Sequence, residues 1–114
     1  MSRLVFSIQK MENLETTGSK IRKLREQSNM PLRKLAALLD LDQSTLSKIE
    51  RNTRRSSIQQ IEKICEIFNI NKRELLISFY SDAICYEIQD EDQFAEILHL
   101  AEEKIEYKRA KPRQ

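Results

Sequence analysis

Apolar residues recur along most of this chain at steps of three and four, the period of a helix with one buried face. Ile21 and Leu24 place a first helix from Thr16 or Thr17, either of which can cap it, to about Ser28, with Gly18 tolerated in its first turn. Asn29 reads as a stop. Pro31 then opens a second helix, about 31 to 39, from its first turn, and Leu35, Ala36 and Leu39 form the inward stripe. Asp40-Leu41-Asp42 separates it from a third helix of about 43 to 51, capped by Asp42, with Leu46 and Ile49 inward. A fourth helix, capped by Ser56 or Ser57, carries Ile58, Ile61, Ile64, Cys65 and Phe68. Asn71 and Glu74 read as a capping box for a fifth. Leu75, Leu76, Phe79, Tyr80, Ala83, Ile84 and Ile88 keep its beat well past Tyr80. A final helix begins at Asp90 to Asp92 and carries Phe94, Ile97, Leu98, Ala101 and Ile105, with Lys104, Lys108 and Arg109 suited to its C-terminal dipole. Residues 110 to 114 are expected to fray. Residues 1 to 14 stand apart: Leu4, Phe6 and Ile8 alternate with Val5, Ser7 and Gln9, a weak strand signal that suits a flexible or partner-pairing arm, and Met11 offers a second starting point.

Composition sharpens this picture. One glycine, two prolines and no tryptophan leave hairpins without turn residues, so an all-α fold is expected. A chain of 114 residues can close one modest core. The organisation expected is an arm (1–14), a helical domain (15–79) and a C-terminal helical extension (80–114). No apolar run approaches the roughly 18 residues of a membrane span, and Met1 to Lys10 lacks the pattern of a secretory signal, so no membrane partner and a cytoplasmic location are expected. Cys65 and Cys85 have no CxxC spacing and His99 is the single histidine, so no metal site is expected. Both thiols read as core-filling, with a redox pair the less favoured alternative, and His99 takes the same structural reading. No motif places a nucleophile or a cofactor, and an enzyme is not indicated.

The formal net charge of +2 hides an asymmetry. Residues 16–55 carry ten Lys or Arg against four Asp or Glu, a balance of +6, whereas residues 56–114 carry eight against twelve, a balance of −4. The first of these stretches is suited to a polyanion.

Two short helices joined by three residues, with small Ala36 at their crossing and Leu41 and Leu46 sealing their angle, describe a helix-turn-helix. The stretch PLRKLAALLDLDQSTLSKIERNTRR, with Leu35-Ala36 and then Ser47-Lys48-Ile49-Glu50-Arg51-Asn52, resembles the lambda-repressor and Cro-like (Xre-type) regulators. The resemblance covers roughly residues 16 to 79 and implies a five-helix DNA-binding domain. Asp40 and Asn52 stand where that family usually has glycine, at positions expected to need positive φ, which Asp and Asn enter most readily. Leu32 replaces a glutamine that often touches phosphate, so that contact is absent or supplied elsewhere. Arg25 and Glu50 occupy places that pair across the domain in relatives, which implies a salt bridge.

The N-terminal part of a recognition helix enters the major groove. Gln43, Ser44, Thr45 and Lys48 are therefore the candidates for base contact, with Gln43 suited to adenine and Lys48 to guanine. Arg33, Lys34, Arg51, Thr53, Arg54 and Arg55 are the candidates for phosphate. One such domain covers only a half-site, so double-stranded DNA is expected to be bound by a homodimer. Leu76, Phe79, Tyr80, Ile84, Phe94, Ile97, Leu98 and Ala101 are the interface candidates. The layout resembles a transcriptional regulator of the restriction-modification controller type. The alternative is an antitoxin-like autorepressor whose C-terminal helices hold a protein partner.

Overall fold

The computed structural model describes residues 14–112. The suggested strand and the alternative start fall outside this range. Every regular element among the described residues is a helix: α1 (Thr17–Gln27), α2 (Leu32–Leu38), α3 (Gln43–Glu50), α4 (Ile58–Phe68), α5 (Lys72–Ile88) and α6 (Phe94–Ala110). The chain divides into two compact units, one ending at Asp82 and the other starting at Ala83, so α5 runs through the boundary. Among the described residues no helix is long and apolar enough to cross a membrane.

The core lies in the first unit. Ile21 of α1, Leu35 and Ala36 of α2, Leu46 and Ile49 of α3, Ile61 and Ile64 of α4, and Leu75 and Phe79 of α5 are buried together. Each large aliphatic side chain removed from water contributes about 1.5–3 kcal/mol. Leu24, Leu32, Leu41, Ile58 and Phe68 pack against this cluster from its edge.

Helix starts follow side-chain chemistry. The Thr16 hydroxyl accepts the Ser19 amide, Asp42 accepts the Thr45 amide, and Ser57 and Gln60 close a reciprocal capping box. The Asn71 side chain accepts the Arg73 amide at the start of α5. Pro31 is the N-cap of α2 rather than its first helical residue, its extended ψ of 151° turning the chain just before the helix.

The ends of α1 to α4 share one device. The amides of Met30, Leu41, Thr53 and Ile70 reach back five residues to the carbonyls of Arg25, Ala36, Lys48 and Cys65 at 2.9–3.0 Å. This is the Schellman bond, and it requires the residue before each donor to be left-handed. Asn29, Asp40, Asn52 and Asn69 take that place with φ of 53°, 55°, 62° and 52°.

The single glycine is used differently. A Cβ on Gly18 would lie 2.1 Å from the Ile49 carbonyl oxygen and 2.9 Å from that of Glu50. Gly18 therefore lets the first turn of α1 touch the backbone at the end of α3, and is required rather than tolerated. Nearby, the Thr17 amide donates to Asp82 Oδ2 at 2.8 Å and the Thr17 and Ser78 hydroxyls meet at 2.9 Å, fastening the start of α1 to α5. A carboxylate there also complements the positive end of the helix dipole.

Three expectations need correction. Cys65 is buried, but Cys85 is exposed, because the last core side chain of α5 is Phe79 and the helix outruns the core beyond it. His99 is exposed too, on the polar side of α6, with Nε2 2.7 Å from Glu103 Oε1 one turn on. α6 continues through Ala110, where fraying was expected to begin.

Candidate nucleic-acid interface

The helix-turn-helix is α2, the Leu39–Asp42 turn and α3. Leu35 and Ala36 of α2 face Leu46 of α3 within the core, and Ala36, with only a methyl group, allows the two helices to cross closely. The left-handed Asp40 sends the chain into the turn, and Asp42 starts α3. The far end of α3 is held from α1. Arg25 Nε and Nη2 donate to Glu50 Oε2 and Oε1 at 2.7 and 2.9 Å, and Nη1 donates to the Met30 carbonyl at 3.0 Å. Their side chains are 13 % and 5 % exposed, and the Glu50 hydrogen bonds raise the Arg25 pKa further above its ordinary value. α3 is thus clamped at both ends by groups outside its own sequence.

The clamps leave one face of α3 in solvent. Gln43, Ser44 and Lys48 are exposed, and Thr45 and Ser47 are half-buried. Ser44 and Thr45 are engaged at the cap: the Thr45 amide donates to Asp42 Oδ1 at 2.8 Å and the Ser44 hydroxyl donates to the same oxygen at 3.1 Å. Hydrogen bonds from Thr45, side chain first and then backbone, and from Ser44 hold the Asp42 carboxyl below the usual carboxylate range. Gln43 and Lys48 keep their donors toward solvent at the outer edge of the helix.

Cationic side chains are exposed on the segments flanking the turn and α3. Arg33 and Lys34 are exposed on the first turn of α2, and Arg51 and Arg54 are exposed just beyond α3. Two of the phosphate candidates also make contacts within the protein. The exposed Thr53 hydroxyl donates to the Lys48 carbonyl at 3.2 Å, at the end of α3. The Arg55 guanidinium lies over the Phe79 ring, 4.8 Å from its centroid, a cation–π contact that ties the loop after α3 to α5. Sequence periodicity carries no sign of that contact, because the two residues meet only once α4 and α5 have folded back.

The interface candidates separate as well. Phe79 belongs to the core at 7 % exposure, with the Tyr80 ring edge-on 5.4 Å away, and is a correction to the expected contact surface: the helical beat that flagged it serves the chain's own core. Leu76 is half-buried against that core. Tyr80, Ile84, Phe94, Ile97, Leu98 and Ala101 are exposed.

Known proteins resemble this chain over the segment that holds the helix-turn-helix. Residues 21–75 match the family model described as helix-turn-helix. Control protein C.BamHI of Bacillus amyloliquefaciens is 42% identical over 60 residues, which span 52% of this chain and 74% of that protein. Among solved structures, the restriction-modification controller protein C.AhdI of Aeromonas hydrophila is 34% identical with a TM-score of 0.48, over 52% of this chain and 89% of the other. The clp gene regulator ClgR of Corynebacterium glutamicum shares the fold, with a TM-score of 0.50 at 21% identity, over 75% of this chain and 88% of that one. The chain belongs to the helix-turn-helix family of DNA-binding transcriptional regulators, the family of C.BamHI.

Proposed function

We propose that this protein reads a specific operator by inserting the exposed face of α3 into the major groove, as a homodimer on a pseudo-palindromic site and within the cytoplasm. The observation that carries the reading is the pairing of a rigidly held polar face with exposed cationic side chains on the flanking segments. Gln43 and Lys48 have free donors for base edges, adenine for the first and guanine for the second, while Ser44 and Thr45 contribute from the capped first turn. Arg33, Lys34, Arg51 and Arg54 hold the phosphates beside it and set register, not sequence. Arg55 acts at one remove, by fixing the loop that carries Arg51 and Arg54. Kinship with C.BamHI supports a controller role in gene expression.

Selection of bound sites from random duplex DNA, followed by binding at two salt concentrations, tests this directly. The expected result is a two-fold symmetric consensus whose half-sites lie about one helical turn, roughly 34 Å, apart. Affinity should fall steeply with salt, as displaced counterions require. Failure to bind any duplex at low ionic strength would overturn the proposal.

A further inference from the structure

α6 has no buried residue along its 17 positions. Phe94, Ile97, Leu98, Leu100 and Ile105 are 39–53% exposed. A lone helix of this length is only marginally stable in water, because most helical stability comes from packing an apolar face. Phe94, Leu98, Ala101 and Ile105 follow one another by steps of four, three and four, the seam of a two-helix coiled coil, with Ile97 at its flank.

The charges indicate what covers this seam. Asp90, Glu91, Asp92 and Glu96 stand at its start, and Lys104, Lys108, Arg109 and Lys111 at its end, with Glu106 the one acid among them. A second α6 laid parallel would set like charge against like; laid antiparallel, it sets acidic start against basic end at both extremities. We infer that α6 pairs antiparallel with α6 of a second copy, Phe94 facing Ile105 of that copy and Leu98 facing its Ala101. This inference rests on the homodimer reading above and names the surface that makes the dimer. In this register both layers repeat through the two-fold axis, and small Ala101 makes room for Leu98. Asp90 and Glu91, in the turn just before α6, come to the end of the seam where Lys108 and Arg109 of the second copy lie, while Glu96 and Glu103 fall on the side away from the seam.

Sedimentation of the full chain at micromolar concentration provides the test. The unaltered protein is expected at twice the chain mass. Leu98→Asp, which removes an exposed side chain from each protomer, should weaken self-association by about a hundredfold. It should leave the helical circular dichroism of the first unit and binding to a single half-site duplex unchanged. Reversing the acidic start (Asp90→Lys with Glu91→Lys) or the basic end (Lys108→Glu with Arg109→Glu) should each weaken it about tenfold. Combining both reversals in one chain should restore association, which only antiparallel pairing allows. If the combined chain stays as weak as either reversal, the antiparallel arrangement is wrong. If every variant remains as dimeric as the unaltered protein, α6 is not the interface although the homodimer stands. A monomeric unaltered protein overturns both.

Discussion

Arg25 and Glu50 form a two-pronged ion pair between the last turn of α1 and the last residue of α3, at 2.7 and 2.9 Å, with almost no access to water. Both carboxylate oxygens and three guanidinium N–H groups are used, the third on the Met30 carbonyl. Such a pair gives little net stability over an apolar contact, but it is directional, and removing one partner strands the other. Glu50→Ala should therefore destabilise the protein by about 3 kcal/mol in urea unfolding. The double change Arg25→Met with Glu50→Leu should recover to within about 1 kcal/mol of the unaltered protein. Additive losses in that cycle would show that the pair does not act as a unit.

Gly18 sets how closely α1 approaches the end of α3, since a Cβ there would meet the Ile49 carbonyl oxygen at 2.1 Å. Backbone, not a flexible side chain, stands in the way. Gly18→Ala would raise helix propensity on an isolated helix, yet here it should cost about 3 kcal/mol, at the upper end for overpacking. Because the displaced segment carries Glu50, half-site DNA affinity should fall with stability. A thermally unchanged Gly18→Ala protein would mean that the two helices can part without cost.

How much of this was readable in the sequence depends on whether a feature is local. The caps at Thr16, Asp42 and Ser57 and the core stripes of α1 to α5 follow from residues within one turn of each other, and the left-handed Asp40 and Asn52 follow from the family resemblance, which puts glycine in their places. The need for glycine at 18 has no local trace, because its constraint comes from α3, some thirty residues on. Arg55 over Phe79 and Thr17 on Asp82 are also meetings of distant segments, with no periodic trace. Cys85 and Phe79 share one helical beat, which reports a face and not where the core ends.

Asp40 and Asn52 hold the two turns that aim α3, with φ of 55° and 62°. An alanine forced into that region costs roughly 1–2 kcal/mol, whereas glycine enters freely. Asp40→Ala and Asn52→Ala should each lower the melting temperature, and Asp40→Gly and Asn52→Gly should match or exceed the unaltered protein. Equal melting points for the alanine and glycine versions would remove the left-handed conformation as the reason for these residues.

Asp42 makes the start of α3 sensitive to acid. Its carboxyl is held below the usual range by the hydrogen bonds from Thr45 and Ser44, so its folded pKa is below its unfolded one. The cap's contribution is then complete above the ordinary aspartate value of about 3.9 and is lost as pH falls through the lower folded value. Asp42→Asn keeps an accepting oxygen but cannot titrate. The gap in melting temperature between the two proteins should therefore shrink as pH falls below about 3.9. A constant gap would show that the charge of Asp42 plays no part.

Lys48 and Arg54 separate specificity from grip. Lys48 projects from the exposed face of α3, while Arg54 is exposed in the loop just beyond it. Lys48→Ala should cost about 1–3 kcal/mol on the preferred operator and relax preference at one base pair of each half-site. Arg54→Ala should weaken all sequences alike and reduce the slope of log affinity against log salt by about 1, one phosphate contact fewer. Both effects can be read from binding of each variant to a panel of single-base operator changes at two salt concentrations. If the two variants give the same sequence profile, the division between a reading helix and a gripping loop fails. The Arg25 clamp would then have to be explained by stability alone.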